Sequence, residues 1–355
     1  MTKKTQEALW NAERIDSDWL NSVLSKPSLE IVSIESVGTG QVASALRIVA
    51  KEIDNPSAIV TYVAKTPSED EKTRQGAIAG GIYLRELRFY EQLAERSLIN
   101  VPEVFYSDYD KETGNFILLM EDMAPAEQGN QLQGCSVAQA ELAMTEIAKL
   151  GGSSWQNQEA FDLDWMPGSL ADYLNAEIAE GLWALFVGKH SAGFSNEEKA
   201  VATEFVSQFD NYLKRSVRRQ CLVHCDYRID NMLFASSKGG KAISTVDWQT
   251  LTVGSATFDA AYFIGTSLPT ELRRQHEKAL LERYHSELMH YGATNYSFDD
   301  CWQDYRGFSF SGFVMALVAS ATVECTERGD EMFFTMAKGS LELALDHSCL
   351  DVLSA

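Results

Sequence analysis

The feature that most restricts the fold is a change of hydrophobic period near Pro125. Before it, β-branched residues alternate or cluster at 31–37 and 45–51, on either side of Gly38-Thr39-Gly40-Gln41, and a third such run fills 58–65. These read as a hairpin with a glycine-bearing tip, followed by one more strand. Ile78, Ile82, Leu84, Leu87, Tyr90 and Leu93 then recur at helical spacing in a segment ending near Glu95, and 115–123 is an apolar run of strand length. Beyond Pro125 the pattern turns helical. Ser136 can cap a helix reaching Leu150, Ser195 and Glu198 form a capping box that opens a helix toward Arg215, and further helices fit 270–291, 299–326 and 331–347. Strands gathered first and helices afterwards predict an α+β fold. At 355 residues the chain exceeds the ~250–300 at which single cores stop growing, so two lobes are expected, 1–123 with a leading helix at 17–24 and 124–355, with chemistry in a cleft between them.

Charge and cysteine content bound the partners and the compartment. Thirty Lys+Arg against 51 Asp+Glu give a net charge of -21, a field that repels nucleic acids and anionic lipid while leaving room for a local phosphate-binding patch. The cysteines at 135, 221, 225, 301, 325 and 349 are too scattered for a disulfide framework, and the first ten residues lack the apolar stretch of a signal peptide, so a reducing cytoplasm is expected. The longest uncharged run, 307–323, falls short of the ~20 apolar residues of a membrane span and reads as a buried helix.

One β-rich island, 221–247, interrupts the helical half. It carries His224-Cys225-Asp226, then Asn231 five residues after the aspartate, and Asp247-Trp248-Gln249 at its end. If its two apolar runs pair around Lys238-Gly239-Gly240-Lys241, Asn231 and Asp247 face one another ~5 Å apart between Cα atoms. A carboxylate beside an amide oxygen suits Mg²⁺, which takes few protein ligands and completes its shell with substrate phosphates. Asp226 then sits across the site. This is the kinase catalytic-loop spacing, H-x-D-x4-N, with a second aspartate after a hairpin.

These residues resemble the aminoglycoside phosphotransferase and choline kinase-like superfamily, near its ecdysteroid-kinase-like branch. The likeness runs from about Ile31 to the C-terminal helix and rests on Gly38-Thr39-Gly40, Val63-Ala64-Lys65, Glu86, the strand end Leu118-Leu119-Met120-Glu121-Asp122, the 224–231 loop, Asp247-Trp248-Gln249, Gly254 and the 259–263 segment. It implies a protein-kinase-like bilobal fold in which 1–123 binds the nucleotide and 124–355 carries the catalytic loop and acceptor pocket. It implies ATP and Mg²⁺ as cofactors, Asp226 as the group that orients and deprotonates an acceptor hydroxyl, and Asn231 and Asp247 as metal ligands. Lys65 paired to Glu86 would position the α- and β-phosphates, and Glu121, Asp122 and Met123 would form the hinge under the adenine. Two departures stand out. Cys225 replaces a usual glycine, which suits a loop without positive φ there, and Gly151-Gly152 replaces a customary His-Ala, a change expected to touch acceptor binding.

Physical reading of the same residues adds detail. Strand, glycine tip, strand and Lys65 is the order in which Gly38, Thr39 and Gly40 offer backbone N–H groups to phosphates while an ammonium reaches them. Arg228 either contacts the transferring phosphoryl group or pairs with Asp230. His224 joins Asp226 and Arg228 in the catalytic set, as a brace for the loop rather than a proton carrier. Cys221, His224 and Cys225 lack a fourth zinc ligand and read as core. Asp259 is placed to cap a helix and brace the loop. Trp155, Trp165, Trp183, Trp302, Phe308, Phe310 and Phe313 either line an acceptor pocket or belong to the core. The expected function is transfer of the γ-phosphoryl of ATP, or of GTP, to a hydroxyl of a small metabolite, antibiotic or steroid-like alcohol. The alternative is a nucleotide-binding pseudokinase or sensor. No nucleic acid partner is expected, and the oligomeric state stays open.

Overall fold

Alternation on the first strands decides which side chains share a face. In the computed structural model, which describes residues 10–24, 28–38, 40, 42–168, 170–323 and 326–353, five antiparallel strands form one sheet in the order β1-β2-β3-β5-β4. They are β1 (Leu29–Ser36), β2 (Ala43–Glu52), β3 (Ile59–Pro67), β4 (Val104–Tyr109) and β5 (Phe116–Glu121). Leu46, Ile48, Ala50, Tyr62, Ala64, Ile117 and Leu119 pack on one face with Leu20 of α1 (Ser17–Leu24). The opposite face carries Val63, Phe116, Leu118 and Met120 against Tyr83 and Leu87. β5 is buried on both faces, which explains its unbroken apolar run. Lys65, two residues after Val63, falls on the second face, beside Leu118 in register.

The helical segment near 78–95 is two helices, α2 (Glu71–Ala79) and α3 (Ile82–Gln92). The break falls at Gly80-Gly81, where Gly81 takes φ +64°, a conformation that costs glycine little. β4 lay outside the strands expected from the sequence, because Tyr106 and Val104 alternate only weakly with polar neighbours.

The chain divides into two compact units, Met1–Tyr90 with Pro102–Ala124, and Glu91–Val101 with Pro125–Ala355. A single boundary at 123/124 therefore misplaces residues 91–101. Asn100 explains why: its N–H and Nδ2 donate to Glu146, and its carbonyl accepts from Thr245 N–H, all within the second unit.

In that unit the helices are α4 (Val137–Ser153), α5 (Gln158–Phe161), α6 (Ala176–His190), α7 (Asn196–Ser207), α8 (Phe209–Ser216), α9 (Phe258–Ser267), α10 (Thr270–His290), α11 (Phe298–Gly307), α12 (Ser311–Thr322) and α13 (Glu327–Asp346). The capping boxes at Ser136 and Ser195 are both present, closed by Gln139 and Glu198. Two expected long helices are each interrupted, at Gln208 and at 308–310. Those breaks let Phe205 stack on Phe310 at 4.0 Å between centroids, with Tyr212, Phe313 and Trp183 around them. Phe308, Phe310, Phe313 and Trp183 are thus core residues and line no acceptor pocket. No helix among the described residues is long and apolar enough to cross a membrane; the 307–323 run is broken at 308–310, and α12 is buried over its first half and exposed at Ala321 and Thr322.

Gly151 and Gly152 serve packing. α4 lies against α10 so closely that a Cβ at Gly152 would stand 2.8 Å from the Leu288 carbonyl oxygen and 2.7 Å from Tyr291 Cβ. Gly152→Ala is therefore expected to destabilise the protein by about 1–3 kcal/mol, despite alanine's better helix propensity, because a backbone carbonyl cannot yield as a side chain can. A urea midpoint equal to the parent's would show that the helices separate at no cost.

Three short strand pairings make the island. β7 (Gln220–Val223) pairs with β10 (Thr252–Ser255), while β8 (Met232–Ser236) pairs with β9 (Gly239–Thr245) and with β6 (Glu127–Gln128). The β8–β9 turn is Ser237-Lys238, with Ser236 opposite Gly239, so it is tighter than the expected Lys238–Lys241 turn. A register irregularity between Phe234 and Ser236 follows, and the two together set the pairing further along. Asn231 lies opposite Val246, whose N–H donates to its carbonyl, and Asp247 is one residue further along rather than directly across.

Candidate active site

In the first unit the Lys65 ammonium donates to both carboxylate oxygens of Glu86, at 2.8 and 2.7 Å, from β3 to α3. The Glu86 side chain is 1% exposed. The pair follows from two periodicities, strand alternation that turns Lys65 toward α3 and a helical face shared by Tyr83, Glu86 and Leu87. Gly38 has φ +76° and Gly40 lies three residues before β2, whereas Thr39 lies outside the described residues.

At the end of β5, Glu121 N–H donates to the Glu103 carbonyl at 2.8 Å. The Asp122 carboxylate takes Arg47 Nε at 2.8 Å and Nη2 at 3.1 Å, together with Ala124 N–H. Burial opposes its charge, but these donors hold the carboxyl below its usual range. Met123 is buried. Arg47 was not anticipated, since a lone arginine on an apolar strand gives no sign of its partner.

The second unit holds the 224–231 loop. Its backbone is fixed by Asp259 of α9, whose carboxylate accepts from His224 N–H at 2.6 Å and Cys225 N–H at 3.0 Å. Asp259 therefore braces the loop and does not cap its helix, where Thr257 is the N-cap residue. Burial pushes its carboxyl up to about 7, against the two N–H bonds. Cys225 has φ +67°, so the loop takes the left-handed conformation, and the condition under which a cysteine would replace the usual glycine without strain is not met. The conformation costs a non-glycine residue roughly 1–2 kcal/mol, and the Asp259 bonds on either side hold it there. Asp247 is likewise left-handed, at φ +68° and ψ +66°.

His224 is fully buried, which pushes its imidazole below the ordinary value even though Asp226 pulls the other way. Its Nδ1 accepts from Asp226 N–H at 3.3 Å, so Nε2 carries the proton and donates to the Val246 carbonyl at 3.1 Å. A neutral ring thereby links the loop to the residue before Asp247.

The Asp226 carboxylate gathers three donors. Arg228 Nε lies 3.0 and 3.2 Å from its oxygens, Tyr262 Oη donates to Oδ1 at 2.8 Å, and Asn231 Nδ2 donates to Oδ2 at 2.8 Å. Asn231 Nδ2 also donates to the Asp226 carbonyl at 2.9 Å. Both amide hydrogens are thus used within the loop, and Oδ1 remains as an acceptor. Asn231 Oδ1 and the Asp247 carboxylate are each hard oxygen donors of the kind Mg²⁺ takes. Arg228 makes the expected pair with Asp230, for Nη1 donates to its Oδ2 at 2.7 Å, and the bond to Asp226 adds a carboxylate the sequence did not point to. Burial disfavours its charge, but Asp226, Asp230 and Asp247 more than offset that and raise its pKa. Tyr262 had stood only within a recognised segment, and Arg328 of α13, which binds Asp230, left no signal in the sequence.

A sequence profile of the ecdysteroid kinase-like family matches residues 41–294. The chain belongs to this family. Among solved structures, the family member is similar to a putative aminoglycoside phosphotransferase from Ralstonia eutropha JMP134, at 15% identity and TM-score 0.54 over 93% of this chain and 97% of that one. It is similar also to a microcompartment-associated aminopropanol kinase (13%, 0.54, 95% and 99%). The GDP complex of aminoglycoside 2'-phosphotransferase IIIa is a further match (14%, 0.54, 91% and 97%). These likenesses establish the kinase-like α+β fold. No curated protein sequence matches the chain.

Proposed function

We propose that the protein is a cytoplasmic small-molecule kinase that moves the γ-phosphoryl of ATP onto an alcohol. The observation that carries the reading is the Asp226–Asn231 pairing, because an aspartate fixed on all sides and an amide with one uncommitted oxygen are what a metal-assisted phosphoryl transfer needs from a protein. Family membership supports it, as does the likeness to a putative aminoglycoside phosphotransferase and to an aminopropanol kinase.

In this reading Lys65, held by Glu86, binds the α- and β-phosphates, and the backbone at Gly38 and Gly40 covers them. Since Arg47 occupies the Asp122 carboxylate, the hinge of Glu121, Asp122 and Met123 offers the base main-chain groups. Asn231 Oδ1 and Asp247 hold Mg²⁺, which neutralises charge on the phosphates when bound. Asp226 accepts the acceptor's hydroxyl proton as its oxygen attacks phosphorus, while Arg228 faces the charge spread over the phosphoryl oxygens. His224 positions the loop.

Purified protein incubated with Mg-ATP and pooled alcohols, amino sugars and sterols should add one phosphoryl group to a member of the pool, read by mass spectrometry. ATP left intact with every pool would overturn the reading. Asn231→Ala and Asp247→Ala should each weaken Mg²⁺-dependent nucleotide binding, since water alone replaces the lost oxygen. Metal titrations identical to the parent's would make both residues structural.

A further inference from the structure

The loop that carries Asp226 is not electrically complete by itself. It holds two carboxylates, Asp226 and Asp230, and one guanidinium, Arg228, which bridges them. Asp230 is 2% exposed, and a buried charge without a full set of partners is costly. The missing cation comes from α13, which begins after residue 294 and so lies outside the span matched by the family. Arg328 Nη2 lies 3.0 Å from both oxygens of Asp230. Gln131 N–H adds a donor to Oδ1 at 2.8 Å, and Gln128 Nε2 donates to the Asp230 carbonyl at 2.6 Å. One turn along α13, on the same face, Met332 Sδ receives Arg228 Nη1 at 3.2 Å.

We propose that Arg328 is a positioning residue for the transfer reaction: by sharing Asp230 with Arg228, it leaves Arg228 Nε on the Asp226 carboxylate. The inference rests on Asp226 as the reacting carboxylate. Without Arg328, one guanidinium serves two carboxylates, and the buried one draws it away. α13 is a firm anchor for this, because Gly339 packs directly on the Gly265 carbonyl of α9, the helix that also delivers Tyr262 and Asp259 to the loop. The loop is thus tied to two helices that are locked to each other.

The test uses the full-length protein labelled with ¹⁵N-arginine, with the Arg228 Nε–H signal assigned by its loss in Arg228→Lys. In Arg328→Ala and Arg328→Gln that proton should exchange about tenfold faster, equivalent to ~1.4 kcal/mol of lost protection, as its bond to the charged Asp226 is given up. Arg328→Lys should restore protection. Mg-ATP turnover, measured with the acceptor pools and with water alone, should fall in kcat with KM for Mg-ATP little changed. Unaltered Nε–H exchange in the alanine and glutamine variants would overturn the proposal, as would a lysine variant no better than alanine or faster exchange with unchanged kcat. If the proton exchanges faster in both variants but the parent turns over no ATP, Arg328 positions Arg228 as proposed and the phosphotransferase reading is what fails.

Discussion

Asp226→Asn is expected to lower turnover by about 10²–10⁴-fold while Mg-ATP still binds, the loss typical of removing a general base. The size follows from what the carboxylate does in the loop. It is the common acceptor for Arg228, Tyr262 and Asn231, so its position is set from three directions and little of its effect can be recovered by rearrangement. An amide at this position keeps one acceptor oxygen and turns an NH₂ group toward donors, which leaves Arg228 or Asn231 facing a donor instead of an acceptor. Some loss of thermal stability should accompany the loss of rate. Nucleotide affinity, measured by calorimetry, should stay near the parent's because Lys65 and the proposed metal ligands are untouched. Unchanged turnover would remove Asp226 from the reaction.

Lys65→Ala is the second large effect, and it should appear in stability as well as in turnover. Glu86 is buried, and its carboxylate accepts both hydrogen bonds that Lys65 makes to it. Deleting one member of a buried pair leaves an undercompensated charge, a cost of about 3 kcal/mol or more, whereas neutralising the survivor removes most of that penalty. The Lys65→Ala/Glu86→Gln double variant should therefore regain much of the urea midpoint lost in Lys65→Ala, yet regain none of the phosphate positioning. Strictly additive losses across the two sites would show that the contact carries no coupling. Recovery of nucleotide affinity in the double variant would separate Lys65 from the phosphates.

Much of this architecture was legible because local chemistry and fold agree. The capping boxes at Ser136 and Ser195 open helices where they stand, and the apolar run of β5 is buried on both faces. The part of the family likeness that lies in 224–249 rested on residues whose spacing is set by a single loop and hairpin, where chain geometry leaves few alternatives. The pairing of Lys65 with Glu86, which the family likeness implied, is present, with strand and helix periods setting the face each residue occupies.

Tertiary structure decided the rest, and the reason is that long-range partners leave no local signature. The register of β8 on β9 was set by a two-residue turn together with an irregularity between Phe234 and Ser236, which leave Asn231 opposite Val246. Cys225 adopts a left-handed backbone because Asp259, 34 residues later, takes its N–H. Gly151-Gly152, which looked like a change in acceptor recognition, answers to the backbone of α10. The aromatic residues that could have lined a pocket interlock as core because breaks at Gln208 and 308–310 fold their helices onto one another. Arg47 and Arg328 reach carboxylates 75 and 98 residues away. Sequence period fixes which face a residue occupies, but only the packed chain fixes which charge it meets there.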